Sequence, residues 1–173
     1  MALRAVGARV VGDIGCYTLA ALEPLRAIDT TVAMGCSIGN AVGLAKSGGE
    51  SRPIVATIGD STFLHSGIQP LIDAVYNCAD ISVLILDNHI IAMTGGQDHP
   101  GTGRTLRGEE TERVDLEQLI RALRSTEQAD VACLIMDATQ KVAEQDAMFA
   151  SLRQVFGNVR PFLTTVPTYM GGL

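Results

Sequence analysis

Residues 53–88 read PIVATIGDSTFLHSGIQPLIDAVYNCADISVLILDN, and their pattern predicts the central unit of the fold. PIVATIG is a continuous apolar run between a proline and a glycine, which is typical of a strand buried on both faces. Apolar residues recur at helical spacing from Thr62 to Cys78, with Pro70 inside the run as a possible bend. ISVLILDN is a second buried strand. A strand, a helix and a strand in this order predict a right-handed unit with two parallel strands.

Shorter patterns on both sides extend this unit into a larger sheet. Upstream, the sequence predicts a strand at Arg9–Val11, a second short strand at Thr31–Met34, and a Gly-rich turn and small-residue helix in GCSIGNAVGLAKSGG. Downstream, it predicts the helix DLEQLIRAL, the strand VACLIMD, the helix QDAMFASLRQVF and the extended segment VRPFLTTVP. Strands and helices therefore alternate, which predicts an α/β fold with a doubly wound parallel sheet.

Composition narrows the class of protein. The 173 residues suffice for one domain or slightly more, and 47% of them are apolar while only 4% are aromatic, as suits aliphatic parallel strands. The net charge of −6 argues against a nucleic-acid partner. The chain has no apolar run of the roughly 18 residues that a membrane span needs, so we expect no membrane partner.

Cysteine usage indicates the compartment. The four cysteines are scattered and form no CxxC pair, so the sequence contains no local zinc or iron–sulfur motif. The first residues, MALRAVGARVVGDIG, contain no apolar region of a signal peptide. Together these features predict a cytoplasmic protein with reduced thiols.

Polar side chains follow the two central strands at the points where they end. Asp60 comes after the first strand and Asn88 after the second. Ligands of open parallel sheets bind beyond the carboxyl ends of the strands, and the following helix N-termini suit a phosphate. Carboxylate, amide and carbonyl oxygens are the ligands that Mg²⁺ prefers. The sequence therefore predicts that Asp60 and Asn88 hold a metal–diphosphate.

Several blocks of sequence carry a family resemblance. GDS, then 26 residues, then Asn88 is similar to the thiamine-diphosphate motif, with Ser61 in place of a glycine and Asp87 in place of an asparagine. The blocks GDIGCYTL, MGCSIGNAVGL, IGDSTFLHSGI, AVYNCADISVLILDN and AMTGGQ occur in order between Leu3 and Leu123. They resemble the thiamine-diphosphate-binding domain of the indolepyruvate ferredoxin oxidoreductase family, large (alpha) subunit.

The resemblance implies a role for each matched position. It implies Mg²⁺ ligation by Asp60, Asn88 and the main-chain carbonyl of Ile90. It implies contacts with thiamine diphosphate from a larger set: Gly15, Cys16, Met34, Gly35, Ser37, Gly59, Ser61, Thr62, Thr94 and Gly95, with Gln97 near the reactive carbon. It assigns no catalytic residue within this chain.

The resemblance also implies a function and partners. The expected chemistry is the oxidative decarboxylation of a 2-oxoacid, such as an aryl pyruvate, by an oxidoreductase that passes electrons to ferredoxin. Its iron–sulfur clusters are expected outside this chain, as is the pyrimidine-binding domain or subunit that faces the cofactor. We therefore expect a homo-oligomeric protein that is inactive alone.

The C-terminal residues follow a different pattern. MFASLRQVFGNVRPFLTTVPTYMGGL resembles the C-terminal region of spermidine synthases, with Gln140 where that family has its catalytic aspartate. The predicted domains are thus a thiamine-diphosphate-binding domain at 1–125 and an α/β extension at 126–173 that completes or flanks the sheet. Two alternatives follow: a truncated or chimeric α/β domain without turnover, and an aminopropyltransferase-like domain.

Each candidate residue also has a simpler interpretation. Asp60 could cap the following helix, Asn88 could stabilise a turn, and Cys16 could be a small buried residue. The histidines His65, His89 and His99 are most simply ordinary surface, core or loop residues. The acidic residues Glu109, Glu110 and Glu112 are most simply a solvated face.

Overall fold

The computed structural model describes residues 2–123 and 131–137. Within these residues, five strands form one sheet: β1 (Arg9–Gly12), β2 (Thr30–Thr31), β3 (Ile54–Gly59), β4 (Ile81–Asp87) and β5 (Val131–Asp137). Their order is β2-β1-β3-β4-β5, and every neighbouring pair is parallel. The predicted parallel α/β sheet is confirmed, with β3 at its centre.

Helical segments connect the strands. They are α1 (Ala2–Ala5), a 3₁₀ helix (Cys16–Ala21), α2 (Ser37–Ser47), α3 (Asp60–Thr62), a π-helical segment (Phe63–Gly67), α4 (Ile68–Tyr76) and α5 (Leu116–Leu123). Helix α2 ends where predicted, because Gly48 adopts φ 71°, a left-handed conformation that favours glycine at the end of a helix. No helix among the described residues is long and apolar enough to cross a membrane.

Apolar side chains cover both faces of the sheet. On one face, Ile58 and Ile85 pack with residues of α2, α4 and α5 in the larger core. On the other face, Val10, Val55 and Leu84 form a smaller cluster with residues near α1. All residues from Ile54 to Ile58 are buried, as expected for a central strand whose side chains alternate between two covered faces.

Two local predictions differ from the structure. The second strand is Thr30–Thr31 rather than Thr31–Met34, because only two residues pair with β1 before the chain turns at Met34 and Gly35. The helix after β3 is not uniformly α-helical, since a π turn precedes Pro70. Pro70 has no N–H to donate to the carbonyl four residues earlier, and that carbonyl belongs to the π turn.

The strand order defines the edge at which a ligand would bind. The chain leaves β1 toward β2 on one side and returns to place β3 on the other side of β1. In open parallel sheets such a reversal opens a crevice beyond the carboxyl ends of the two strands. Asp13 follows β1 and Asp60 follows β3, so both acids lie at this edge.

The C-terminal predictions remain predictions. The helix QDAMFASLRQVF, the segment VRPFLTTVP and Gln140 lie outside the described residues. The predicted strand VACLIMD is confirmed as β5, which pairs along its whole length with β4. The division into domains at residues 125 and 126 stays a prediction.

Candidate functional site

Asp60 is the centre of the candidate site. It begins α3 directly after β3, and it is only 3% exposed. Its Oδ1 accepts the Ser61 N–H at 2.8 Å, and its Oδ2 accepts the His89 N–H at 2.9 Å. Nε2 of His99 lies 3.2 Å from the same Oδ2. The carboxylate therefore faces backbone and side-chain donors from the end of β4 and from the loop beyond it.

A second carboxylate stands beside Asp60 at the end of β4. Ligand atoms of Asp60, Asp87 and His89 all lie within 4.8 Å of one another, and His89 Nδ1 is 3.0 Å from Asp87 Oδ1. Burial, followed by the hydrogen bond and the negative charge of Asp60, raises the pKa of Asp87 from 3.8 to about 6. Two carboxylates this close disfavour each other's charge, and a divalent cation between them would remove that cost.

The chain turns sharply after β4. His89 has φ 56°, a left-handed conformation that is uncommon for a residue other than glycine. Oδ1 of Asn88 accepts the Ile90 N–H at 3.2 Å, which closes the turn and confirms that Asn88 stabilises it. Within residues 2–123, no backbone N–H donates to the carbonyl of Ile90. The carbonyl of Ile90 and a lone pair of the Asn88 amide oxygen thus remain available to a ligand.

Asp13 is a buried acid that the sequence analysis did not select. It is 0% exposed, and its carboxylate accepts the N–H groups of Ile14 at 2.8 Å, Gly35 at 2.7 Å and Ser37 at 3.1 Å. The negative charge therefore sits at the N-terminus of α2, where the helix dipole stabilises it. The signal was present in the sequence, because Asp13 follows the apolar run of β1 as Asp60 follows β3.

Asp13 holds the Gly-rich turn before α2 in place. Gly35 has φ +84°, and a Cβ there would collide with the side chain of Ser66. Ser37, a predicted cofactor contact, is fully buried, and its Oγ has no hydrogen-bond partner in the described part of the chain. Met34, another predicted contact, is 58% exposed on the same turn. The turn therefore combines a fixed backbone with one exposed thioether at the edge of the sheet.

Tyr17 connects the ends of β1 and β3. Its hydroxyl oxygen accepts the Gly59 N–H at 3.1 Å, and a Cβ at Gly15 would lie 2.5 Å from its ring. Burial, followed by the charge of Asp13, raises the pKa of Tyr17, so that the phenol keeps its proton. Cys16 is half-buried at the start of the 3₁₀ helix. Tyr17 thus lies between Gly15 and Gly59, two of the predicted cofactor contacts.

The remaining predicted residues fall into two groups. Ser61 is buried and Thr62 half-buried beside Asp60. Thr94, Gly95 and Gln97 lie on an exposed turn, in which Thr94 Oγ1 donates to Gln97 Oε1 at 2.6 Å and Gln97 Nε2 donates to the Thr94 carbonyl at 2.6 Å. No hydrogen bond described for this turn reaches Asp60.

His99 is not the solvated loop histidine that its position suggested. Its side chain is only 1% exposed, and burial lowers its pKa, which favours a neutral imidazole. His65, by contrast, is exposed. The burial of His99 arises from tertiary contacts of the loop between β4 and α5, which sequence spacing cannot reveal.

The donor set fits a hard divalent cation. Carboxylates of Asp60 and Asp87, the amide oxygen of Asn88 and the carbonyl of Ile90 all lie at the end of β4 or beside it, and all are oxygen ligands of the kind that Mg²⁺ takes. Buried hydroxyl oxygens without partners, Ser37 Oγ and Thr57 Oγ1, provide further polar groups on β3 and at the start of α2. Such unsatisfied groups are expected where a polar ligand binds.

A match to a protein-family model identifies the family of the chain. Residues 13–159 match the model described as thiamine pyrophosphate enzyme, C-terminal TPP binding domain. The chain belongs to this family. Its fold is therefore that of a thiamine-diphosphate-binding domain.

Curated relatives are similar to about two thirds of the chain. The chain is 46% identical over 134 residues to indolepyruvate oxidoreductase subunit IorA of Thermococcus kodakarensis, which is 69% of this chain and 21% of that protein. It is 51% identical over 114 residues to the subunit of the same name from Archaeoglobus fulgidus, which is 66% of this chain and 18% of that protein. This thiamine-diphosphate-binding domain thus spans about a fifth of the length of these relatives.

Solved structures share the fold. The 2-oxoglutarate:ferredoxin oxidoreductase from Magnetococcus marinus superposes with a TM-score of 0.72 at 12% identity, covering 95% of this chain and 55% of that chain. Benzoylformate decarboxylase from Polynucleobacter necessarius superposes with a TM-score of 0.58 at 16% identity, covering 95% of this chain and 31% of that chain. At these identities the likeness concerns the fold alone.

Proposed function

We propose that this domain is the Mg²⁺–thiamine-diphosphate-binding part of an indolepyruvate-type 2-oxoacid:ferredoxin oxidoreductase. The observation that carries the proposal is the buried Asp60 carboxylate, which stands at the switch point of the sheet beside a second acid. The relatives named indolepyruvate oxidoreductase subunit IorA, at 46–51% identity, supply the substrate class.

The proposed cation site combines one buried carboxylate with neutral oxygens. Asp60, the amide oxygen of Asn88 and the carbonyl of Ile90 would hold Mg²⁺, and the diphosphate would complete the shell, as is usual for this ion. Asp87 supplies a second negative charge close by without serving as a proposed ligand. The negative charges of the two carboxylates would balance the positive charge of the cation at the edge of the sheet, next to the polar groups of α2 and β3.

Several backbone amides at the proposed cofactor-contact positions already donate hydrogen bonds within the protein. The amides of Gly35 and Ser37 donate to Asp13, and the Gly59 amide donates to Tyr17. These groups would therefore shape the walls of the site, while Ser37 Oγ and the Thr62 backbone supply polar contacts to the diphosphate. When bound, thiamine diphosphate supplies the carbanion and electron-sink chemistry, and the chain binds and orients it.

The first prediction tests the cation site. Asp60→Ala should abolish Mg²⁺-dependent binding of thiamine diphosphate, because it removes the buried anionic ligand and leaves the cation undercompensated. Asn88→Ala, which removes a neutral ligand, should weaken binding less. Isothermal titration calorimetry of the full chain with Mg²⁺ and thiamine diphosphate measures both.

Asp80→Ala is the matched control, because Asp80 is an exposed aspartate just before β4. It should bind the cofactor like the parent chain. The proposal fails if Asp60→Ala also binds the Mg²⁺ complex with parental affinity, or if the parent chain does not bind it.

A further inference from the structure

His99 carries an inference that goes beyond the family's cation ligands. Its imidazole is buried although Asp98 and Pro100 on either side are exposed. Nε2 lies 3.2 Å from Oδ2 of Asp60 without forming a hydrogen bond, so it is a buried polar atom that has no hydrogen-bond partner among the described residues. A buried polar group without a hydrogen-bond partner destabilises the folded state, so its presence calls for an explanation.

The other ring nitrogen identifies the tautomer. The Gly101 N–H donates to Nδ1 of His99 at 3.2 Å, and only an unprotonated ring nitrogen can accept this bond. The proton therefore sits on Nε2, which faces Asp60 as a donor. An N–H cannot ligate a metal, so the geometry excludes His99 as a further cation ligand and makes it a partner of the carboxylate instead.

We propose that His99 is a positioning residue for Asp60: the Nε2–H of His99 is directed at Oδ2 from 3.2 Å, and its electrostatic attraction holds the carboxylate so that Oδ1 faces the cation. This inference rests on the proposed function for its consequence, though not for its geometry. Carboxylates that ligate metals are themselves held by hydrogen bonds from residues around the site, and loss of such partners typically weakens metal affinity about 10–100-fold.

The lone pairs of Asp60 support this assignment. A carboxylate offers about four acceptor positions. Oδ1 accepts the Ser61 amide, while Oδ2 accepts the His89 amide and faces Nε2 of His99. The side chain of Asp87 is also hydrogen-bonded to Asp60. Because Oδ2 is directed at two donors of the loop, Oδ1 is the oxygen that we propose for the cation.

The same contact anchors the loop between β4 and α5. His89 and His99 flank residues 90–98, and both direct an N–H toward Oδ2 of Asp60. The two ends of this segment are therefore fixed on one oxygen atom, and the exposed turn with Thr94 and Gly95 lies between them. Loss of the His99 contact should loosen the turn as well as the carboxylate.

Two substitutions separate the roles of the two ring nitrogens. In His99→Gln the side-chain amide reaches the position of Nε2 and can donate to Asp60, whereas in His99→Asn it reaches only the position of Nδ1. Calorimetric titration of the full chain with Mg²⁺ and thiamine diphosphate should show about 10–100-fold weaker binding for His99→Asn and a value within about threefold of the parent for His99→Gln. His65→Asn, at an exposed histidine, is the matched control and should bind like the parent.

Gly101→Ala provides a variant that keeps the histidine. A Cβ at Gly101 would lie 2.9 Å from Cε1 of His99 and displace the imidazole. It should weaken Mg²⁺–cofactor binding in the same direction as His99→Asn. Parental affinity in His99→Asn, or equal weakening in the Asn and Gln variants, overturns the proposal.

Amide exchange without metal or cofactor gives an independent readout. The amides of Ile91, Gly95 and Gly96 are hydrogen-bonded within the loop. They should exchange faster in His99→Asn than in the parent and in His99→Gln. If the parent chain does not bind the cofactor, the proposed function fails while this measurement still decides the role of His99; unchanged exchange in His99→Asn overturns it.

Discussion

Asp13 is a buried carboxylate that accepts hydrogen bonds from three backbone N–H groups. Asp13→Asn keeps the shape of the side chain but replaces one acceptor oxygen with an N–H₂ group. Backbone N–H donors that face this group then have no acceptor. We expect this change to lower the free energy of unfolding by about 3 kcal/mol. The melting temperature should fall by about 6–12 °C for a chain of this size, as measured by circular dichroism.

Asp80→Asn, at an exposed aspartate, is the control for Asp13→Asn and should leave the melting temperature within about 1 °C of the parent. A comparably small change in Asp13→Asn itself would show that the three hydrogen bonds contribute little to stability.

Asp87 makes the stability of the metal-free chain depend on pH. Its pKa is raised from 3.8 to about 6, so the folded state binds this proton more tightly than the unfolded state does. The resulting stabilisation is fully present below about pH 4 and is lost as pH rises through about 6. Since one pKa unit corresponds to about 1.4 kcal/mol, the loss between pH 4 and pH 8 is about 2–3 kcal/mol.

Asp87→Asn should remove this dependence, because asparagine resembles the protonated acid and cannot ionise. Urea unfolding of the metal-free chain at pH 4, 6 and 8 measures the effect. If the parent and Asp87→Asn change in parallel over this range, Asp87 is not the group that titrates.

At the scale of elements, the long apolar runs were predictable and the short or irregular ones were not. β3 and β4 are correct because a buried parallel strand has a continuous apolar sequence, whereas β2 pairs through two threonines that leave little pattern. The π turn depends on Pro70 and on packing, and helical periodicity cannot distinguish it from an α-helix. The loop after β4 was correctly predicted as an irregular, polar segment.

The residues of the candidate site were predictable only where they follow a long apolar strand. Asp60 and Asn88 were selected because each follows a long apolar strand, and in the structure they follow β3 and β4. Asp13 was missed because β1 is only four residues long. His99 was interpreted as solvated because a histidine between polar loop residues shows no burial in the sequence, and only the folded loop brings it to Asp60.

At the scale of the whole molecule, the proposed reaction needs more than the described residues contain. They include one group of three potential metal ligands, Asp60, Asp87 and His89, and no such group with a cysteine. The chain spans about a fifth of its relatives, so we propose that the electron acceptor and the opposing pyrimidine-binding domain belong to other parts of a complete enzyme.

The chain alone should therefore bind the cofactor without completing oxidation of a 2-oxoacid. Any proton-transfer group that belongs to the opposing pyrimidine-binding domain would be missing, and loss of such a group typically costs about 10²–10⁴-fold in rate. An anaerobic assay with indolepyruvate, Mg²⁺, thiamine diphosphate and a viologen dye should show no dye reduction above the protein-free rate. Dye reduction at the rate of a complete oxidoreductase would show that the catalytic apparatus lies within this chain.

The strand order β2-β1-β3-β4-β5 also has a consequence for protein synthesis. β1 pairs with β3 across Arg9 and Ile54, which are far apart in the chain, and β1 has only the two residues of β2 as its other neighbour. At about 5–20 residues per second, β1 leaves the ribosome roughly 2–9 s before its main partner. During those seconds a nascent chain carries a valine-rich strand with almost nothing to pair with, and the order of translation leaves it open to chaperones.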